Sequence, residues 1–352
     1  MRDLRQIIVV AFAFVGVVVG AGFATGQEVL QFFTSHGLNS IWGIILTGIL
    51  VTLGGMFVMK ASYDIKSENH ATSIKYFLPK QISLIFDFVL TAFLLGLALV
   101  MSVGGVSTIN ESFNIPFWVS GLIFIGLVSL TLCLQFDKII RVLSVVTPFL
   151  IVIVLIISIY YMFKHDFNIS EGITSIPENK GLYPWWFDAI NYSSLQIAAA
   201  FSFLSVMGGQ LKKGTHAIFG GLIGGIIIMA LLMLINLGLV TEYKHIVKVD
   251  LPTLLLAKEI HPVIGFIFSI IMVSVIYNTV VGLNYAFISR FTKPYSKHYY
   301  IMIVVIAVMT FLMTFISFSK LVATVFPLMG IVGLILFFPV IYKGFKYFNM
   351  NN

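Results

Sequence analysis

The glycines between Gly20 and Gly26 are the residues of this chain with the clearest capacity for chemistry. Three of these seven residues are glycine, and they lie inside a long apolar stretch. Each glycine destabilises a helix interior by roughly 1 kcal/mol relative to alanine, so the helix is predicted to unwind here. Unwound backbone at membrane depth needs protein, solute, ion or water as its partner. Its N–H groups would favour a carboxylate and its carbonyls a cation. The predicted solute-binding residues in this stretch are Gly20, Ala21, Gly22 and Phe23.

Close helix packing is an alternative explanation for the same glycines. Gly16 and Gly20 are four residues apart, and so are Gly22 and Gly26. This is the spacing of small residues at the interfaces of membrane helices. The sequence leaves both explanations open.

A second polar stretch, residues 191–203, lies in a later apolar segment and is rich in serine and alanine. Small residues allow close approach, and amide and hydroxyl groups can hydrogen-bond a buried polar solute. Interhelical hydrogen bonding is the alternative, although it contributes only about 0.6 kcal/mol on average. We predict that Gln196, Ala198 and Ser202 bind the solute and that Phe201 forms an apolar wall or gate.

Three carboxylates lie at or near membrane depth, where ionisable residues are rare and usually functional or paired. Glu28, about two turns after Gly20, could bind a substrate amine, form an outer gate or simply be wetted at the interface. Asp188 follows two tryptophans, which are typical of the membrane interface. Asp87 is expected to be solvated or paired with a loop lysine, with a proton relay as the alternative. Because no strong charge lies at the centre, the solute is expected to be zwitterionic or neutral.

Membrane-spanning helices must position these residues. Of the 352 residues, 59% are hydrophobic and 10% are charged, whereas about 25% of a soluble domain is charged. Such a surface must face the lipid bilayer. The excess of basic residues lies in short loops rather than on one face, which argues against nucleic-acid binding. Cys133 is the only cysteine, no His/Cys cluster has metal-ligand spacing, and no cofactor is expected.

Ten segments are long and apolar enough to cross a hydrocarbon core of roughly 30 Å. In chain order these predicted spans are 7–33, 40–62, 82–107, 116–135, 139–163, 183–208, 217–240, 263–287, 299–316 and 321–342. The first is expected to be retained rather than cleaved as a signal peptide, because no Ala-x-Ala-like site ends it. The apolar stretch 251–257 is too short to span, which predicts a re-entrant or surface helix.

The distribution of lysine and arginine predicts the orientation. With the N-terminus inside, 15 of the 21 basic residues lie on the cytoplasmic side. The remaining six are Lys164, Lys180, Lys244, Lys248, Lys258 and Lys320. This bias follows the positive-inside rule and predicts a multi-pass protein of the cell membrane with both termini cytoplasmic.

A weak internal repeat relates residues 7–163 to residues 183–342 within one transmembrane domain, 1–352. Spans 5 and 10 both begin with Phe-x-Lys and contain a proline, and spans 2 and 7 are both rich in glycine. Five spans in each half require the halves to insert with opposite topology, an arrangement common in transporters. Chance is the alternative, because glycine and proline are frequent in membrane helices.

The run Gly-Ala-Gly-Phe-Ala-Thr-Gly-Gln-Glu, from Gly20 to Glu28, resembles the first-helix signature of bacterial YkvI-type membrane proteins. These belong to the amino acid–polyamine–organocation superfamily, whose members share the LeuT-type fold of five plus five inverted helices. The resemblance implies an all-α protein whose helices 1 and 6 are broken, near Gly20–Ala24 and Ala198–Ser202. It also implies alternating access, in which spans 1, 2, 6 and 7 rock against spans 3, 4, 8 and 9.

The resemblance also implies a position for a coupling ion. Members that couple to sodium hold one ion between carbonyls of span 1 and side-chain oxygens of span 8. The matching groups here are the carbonyls of Gly16 and Val19 and the side chains of Asn278 and Thr279. The absence of a lysine in the middle of span 5 favours sodium over protons.

Together these observations predict a secondary transporter, not an enzyme, that moves an amino acid or a related amine or organocation by ion-coupled symport. A channel would need a continuous polar stripe along a pore, and no span shows one. An enzyme would need a constellation such as His/Asp at membrane depth, yet every histidine lies in a loop or at a span end. A substrate-binding sensor with a transporter fold and a proton-coupled carrier remain as alternatives.

Overall fold

The computed structural model describes residues 2–67, 70–134, 147–163, 173, 176, 181, 183–293 and 295–350. In this part of the chain the regular structure is helical, without strands. The helices are α1 (Arg2–Val18), α2 (Ala21–Thr25), α3 (Gln27–Phe32), α4 (Asn39–Asp64), α5 (His70–Phe77), α6 (Lys80–Phe113), α7 (Phe117–Leu132), α8 (Thr147–Phe163), α9 (Trp185–Gln210), α10 (Gly214–Thr241), α11 (Tyr243–Ile246), α12 (Pro252–Ile260), α13 (Pro262–Phe291), α14 (Lys297–Met313) and α15 (Phe318–Met350), with a 3-10 turn at Thr34–His36.

Six helices in the described part are long and apolar enough to cross a membrane: α4, α6, α9, α10, α13 and α15. They correspond to predicted spans 2, 3, 6, 7, 8 and 10. Large apolar side chains such as Leu84, Phe88 and Leu130 are strongly exposed, as expected of a surface in contact with lipid. The chain is therefore a multi-pass membrane protein. The count of ten stays a prediction, because 135–146, with the first Phe-x-Lys sequence, lie outside the described residues.

The first predicted span is divided into α1, α2 and α3. Gly20, between α1 and α2, is extended, with φ −94° and ψ −160°. Its N–H donates to the Val18 carbonyl at 2.8 Å, so the Gly16 carbonyl loses its regular helical donor. The second interruption is at Gly26, whose φ of 75° lies in the left-handed region that favours glycine.

The sixth predicted span is one continuous helix, α9, so the expected break near Ala198–Ser202 is wrong. Neither glycine nor proline occurs between Trp185 and Met207. The alanines at 198–200 are the strongest helix formers. Polar residues in this span are compatible with a helix because some bond its own carbonyls, as Ser193 does to Ala189 at 2.7 Å.

Two groups of helices pack internally. One contains α1, α4, α9 and α10, and the other contains α6, α7, α13 and α14. These groups correspond to spans 1, 2, 6 and 7 and to spans 3, 4, 8 and 9. Helix α15 packs against α4, α6 and α9, while α2 contacts α6 and α13 across the boundary between the groups.

The glycines of spans 2 and 7 lie where the two helices are in closest contact. A Cβ added at Gly221 of α10 would lie 2.8 Å from the Met56 Cα of α4. At Gly225 an added Cβ would lie 2.0 Å from Thr52 Oγ1. Glycine at these positions lets α4 and α10 approach closely, the role of small residues in membrane helix packing.

Candidate functional site

Glu28 lies in α3, the last segment of the interrupted first span, and its carboxylate packs against the preceding segment, α2. Its side chain is 4% exposed, so the alternative of a water-exposed interfacial carboxylate does not hold. The carboxylate folds back over Gly22, where an added Cβ would lie 1.6 Å from Glu28 Oε1. The missing side chain at Gly22 therefore provides the space that the carboxylate occupies.

Two side chains of α9 hydrogen-bond one oxygen of this carboxylate. The Tyr192 hydroxyl donates to Glu28 Oε2 at 3.1 Å, and Gln196 Nε2 donates to the same oxygen at 3.0 Å. Residues four apart lie on the same helix face, which lets both donors reach one acceptor. The Tyr192 ring packs against Phe32 and Phe33, with ring centroids 5.2 and 5.0 Å away. These contacts hold the hydroxyl in position.

Helix α12, formed by the apolar stretch 251–257 and the residues after it, covers the second interruption. Thr253 Oγ1 donates to the Ala24 carbonyl at 2.5 Å. An added Cβ at Gly26 would lie 2.6 Å from Thr253 Cγ2, so glycine also permits this contact. Within the segment, Thr25 Oγ1 donates to the Gly22 carbonyl at 2.8 Å. Hydroxyl groups thus satisfy two carbonyls of the interrupted span.

The other predicted residues of the first span lie on the same short segment. Ala21 begins α2. Phe23 is 1% exposed and belongs to the apolar core, and its carbonyl accepts the Gly26 N–H at 3.2 Å. Phe23 therefore supports the segment from inside the core.

Thr279 of α13 faces the first interruption. An added Cβ at Gly20 would lie 3.8 Å from Thr279 Oγ1, and this hydroxyl donates to the Val275 carbonyl at 3.0 Å. Among the described residues, no main-chain N–H donates to the Val19 carbonyl. Asn278, the preceding residue of α13, is half-buried. The region thus contains neutral oxygens of the kind that coordinate sodium in broken membrane helices.

The other predicted site residues of α9, Ala198, Phe201 and Ser202, do not contact Glu28 in the described structure. Ala198 packs against α15, where its Cβ is 3.4 Å from the Cβ position of Gly333. Phe201 is fully buried, and its ring lies 6.1 Å from that of Phe77 on α5. In the described part of the chain the Ser202 hydroxyl has no hydrogen-bond partner.

The first polar residues of α9 join it to α15. Asn191 Nδ2 donates to the Pro327 carbonyl at 3.2 Å, and Ser194 Oγ donates to the Gly330 carbonyl at 2.5 Å. Glycine at 330 also leaves room for the Asn191 side chain. Hydrogen bonding between helices therefore explains Asn191 and Ser194, whereas Gln196 donates to the Glu28 carboxylate.

Sequence reasoning missed Tyr192 and Thr253 as site residues. The signal for Tyr192 is its position four residues before Gln196, on the same helix face. Thr253 gave no comparable signal, because its partner Ala24 is 229 residues away in the chain.

The other two carboxylates form ion pairs. Asp188 Oδ2 lies 2.8 Å from His36 Nε2. Asp87 pairs with Arg290 of α13 rather than, among the described residues, with a loop lysine, and it lies 3.4 Å from His70 of α5. Arg290 Nη1 lies 3.1 Å from His70 Nε2. Burial lowers the pKa of His70 below its ordinary value of 6.5, although Asp87 opposes the shift, so the neutral ring accepts this bond at neutral pH.

Two proteins of Bacillus subtilis (strain 168) are similar to this chain over almost its whole length. The uncharacterized membrane protein YkvI is 26% identical over 332 residues, which cover 92% of either chain. The expected resemblance to YkvI-type membrane proteins is confirmed. The uncharacterized protein YyaD is 24% identical over 334 residues, which cover 93% of this chain and 95% of YyaD. No family model matches this chain.

Solved transporters share its fold. The crystal structure of MhsT in complex with L-phenylalanine superposes with a TM-score of 0.58 and 15% identity, covering 92% of this chain and 87% of MhsT. A point mutant of the Eremococcus coleocola manganese transporter gives 0.58 and 14%, covering 94% of this chain and 78% of that transporter. Both are LeuT-fold proteins, so this chain has the LeuT-type fold.

Proposed function

We propose that this chain is a secondary transporter, without enzymatic activity, that carries a small amine-bearing solute by alternating access. An amino acid or a related amine fits this description. The observation that carries the proposal is the buried Glu28 carboxylate, set against the interrupted first span. A carboxylate with neutral hydrogen-bonding neighbours provides a counter-charge and acceptors for one ammonium group. The transporters that share the fold support the same class of function.

The proposed cycle moves the two helix groups relative to each other. With both termini cytoplasmic, α12 lies on the outer side and the Asp87–Arg290 pair on the cytoplasmic side. Thr253 covers the site from outside, and Arg290 joins α13 to α6 and α5 from inside. Opening to either side would release one set of contacts while the other holds, as alternating access requires.

Sodium is the proposed coupling ion. The carbonyls of Gly16 and Val19 and the side chains of Asn278 and Thr279 would hold one ion at the first interruption. The support for this assignment is the altered hydrogen bonding at Gly20 and the Thr279 hydroxyl beside it. The dipoles of the half-helix ends would offset the charge of a monovalent ion.

The experiment that tests this function is a thermal-shift screen of the purified protein against the common amino acids and small primary amines, with and without sodium. A ligand that binds the native protein raises its melting temperature by mass action. We expect an amine-bearing compound to do so, and more strongly in sodium than in choline. If no compound of the panel changes the melting temperature under either condition, the proposed solute class is wrong. A sensor would bind such a compound without moving it into proteoliposomes.

A further inference from the structure

In the part of the chain that the structure describes, the buried Glu28 carboxylate has no basic side chain as a partner. Its two hydrogen-bond donors, Tyr192 and Gln196, are both neutral. In the described part of the chain, no lysine, arginine or histidine forms an ion pair with it. It is therefore unlike Asp87 and Asp188, which lie within ion-pair distance of basic side chains.

The elements packed around α3 bring no unpaired charge to Glu28. These elements are α2, α9, α10, α15 and the 3-10 turn. Helix α2 has no titratable residue, and α9 contributes Tyr192 together with Asp188, which pairs with His36 of the 3-10 turn. On α10 the one titratable residue is His216 in its first turn, 3.2 Å from Asp3. Helix α15 carries its basic residues near its two ends, at Lys320, Lys343 and Lys346, with Tyr342 and Tyr347 beside the last two.

A carboxylate in this position needs a positive charge or a proton. Removing an ionised carboxylate from water costs several kcal/mol, and two neutral hydrogen bonds recover only part of this cost. With two neutral donors as its partners, the buried group is therefore favoured as the neutral acid. Since Oε2 accepts both bonds, it would be the carbonyl oxygen of that acid, and Oε1, beside Gly22, would carry the proton.

We propose that Glu28 holds a proton in the closed, empty carrier and exchanges it for the ammonium group of the solute. When the site opens, the O–H bond at Oε1 breaks and the proton passes to water on the open side. The carboxylate then pairs with the ammonium group, and the loaded site closes with its charge balanced. The exchange half of this inference rests on the proposed transport function, whereas the proton on Glu28 does not.

Proton exchange at Glu28 is compatible with sodium binding. The sodium site proposed above is at the first interruption, beside Gly20 and Thr279, whereas Glu28 contacts Gly22 and α9. The carrier would take in solute with sodium and return with a proton. Glu28 would then determine that the solute carries an amine, because only a cationic group can replace the proton.

Infrared difference spectroscopy of the purified protein in lipid tests the proton directly, without any solute. At neutral pH we expect a protonated-carboxyl C=O band that is present in the wild type and absent from Glu28→Gln. Glu259→Gln is the matched control, because Glu259 also accepts a tyrosine hydroxyl, from Tyr161 at 3.0 Å, but is exposed. It should leave the band unchanged. A wild-type spectrum identical to that of Glu28→Gln would overturn the inference.

Tyr192→Phe provides an independent variant in case Glu28→Gln does not fold. It keeps the ring contacts with Phe32 and Phe33 and removes one hydrogen bond to Oε2. The same C=O band should move to higher frequency, because its oxygen then accepts one bond fewer. A band that does not move belongs to another carboxyl group, and the assignment to Glu28 is then wrong.

The exchange is tested on the same samples at constant pH. A mixture of the common amino acids with ethanolamine and putrescine should reduce the wild-type band, whereas potassium chloride at equal ionic strength should not. If compounds of this mixture raise the melting temperature but leave the band unchanged, proton exchange is wrong and amine binding stands. If they do neither, the proposed solute class is wrong, while the band still reports the proton on Glu28.

Discussion

Gly22 and Glu28 show how one missing side chain creates the candidate site. The carboxylate occupies the volume that any Cβ at position 22 would fill. The sequence suggested both residues because glycines and a carboxylate share one apolar span. It could not show that the carboxylate folds back over Gly22, since the turn at Gly26 that directs it is a property of the folded backbone.

Gly22→Ala tests this arrangement. The added methyl group must displace the Glu28 carboxylate from Tyr192 and Gln196, and overpacking of this kind costs about 1–3 kcal/mol. We expect the ligand-induced rise in melting temperature to be lost. Gly126→Ala is the control, because an added Cβ there has no atom within 4 Å, and it should keep the wild-type response. Unchanged ligand binding in Gly22→Ala would show that Glu28 is not positioned as described.

Thr279→Ala tests the proposed sodium ligands. Losing one hydrogen-bonding or coordinating group to a charge costs about 1.5–3 kcal/mol, which predicts a roughly tenfold or greater loss of sodium affinity. Ser274→Ala is the matched control, because the Ser274 hydroxyl also bonds a carbonyl four residues earlier on α13. Sodium affinity is read from the sodium dependence of the melting temperature. Equal affinity in both variants would reduce Thr279 to a helix-packing role.

Among the elements, predicted span 6 shows the limit of sequence reasoning most clearly. Hydropathy located α9 to within two residues at either end, because a spanning helix must be apolar over a fixed length. The break was inferred from polarity and from the resemblance, yet α9 contains no helix breaker before Gly208. In contrast, span 1 is interrupted where its glycines occur. Glycine content therefore predicted the helix interruption better than side-chain polarity did.

The link between α5, α6 and α13 should depend on pH through His70. Because folding lowers the pKa of His70 below 6.5, the unfolded chain takes up a proton first as the pH falls. The contribution of neutral His70 to the free energy of unfolding is complete above the unfolded pKa of 6.5. It is lost as the pH falls through the pKa of His70 in the folded protein. The melting temperature should therefore fall between about pH 7.5 and pH 5.5.

His70→Gln should reduce that fall, because its amide oxygen can accept the Arg290 bond without titrating. His298→Gln, at an exposed position of α14, is the control and should follow the wild type. Equal pH dependence in all three proteins would remove His70 from this link.

At the scale of the whole molecule, the division into two helix groups was implied by the resemblance and not by hydropathy. Hydropathy identifies spans but carries no information on which spans touch. The glycines of α4 and α10 held part of that information, since Gly221 and Gly225 are needed only where another helix approaches closely. The contact of α12 with Ala24 was beyond the sequence, because it joins segments far apart in the chain.

The predicted orientation is tested by reporter fusions at two positions. Lys75 in α5 should lie in the cytoplasm, and Lys248, between α11 and α12, should lie outside. A phosphatase reporter, active only outside, should be active at Lys248 and inactive at Lys75, with the opposite pattern for a fluorescent reporter active only inside. Both positions on one side would contradict the count of spans between them.

Concentrative uptake into proteoliposomes is the most direct test of the central claim that this chain is a secondary transporter. Vesicles containing the purified protein are given an inward sodium gradient and a mixture of radiolabelled amino acids and small primary amines. We expect an amine-bearing solute to accumulate inside above its external concentration, and the accumulation to collapse when sodium is equal on both sides. Binding of a solute to the protein without any accumulation, under sodium or proton gradients, would contradict secondary transport and identify a sensor instead.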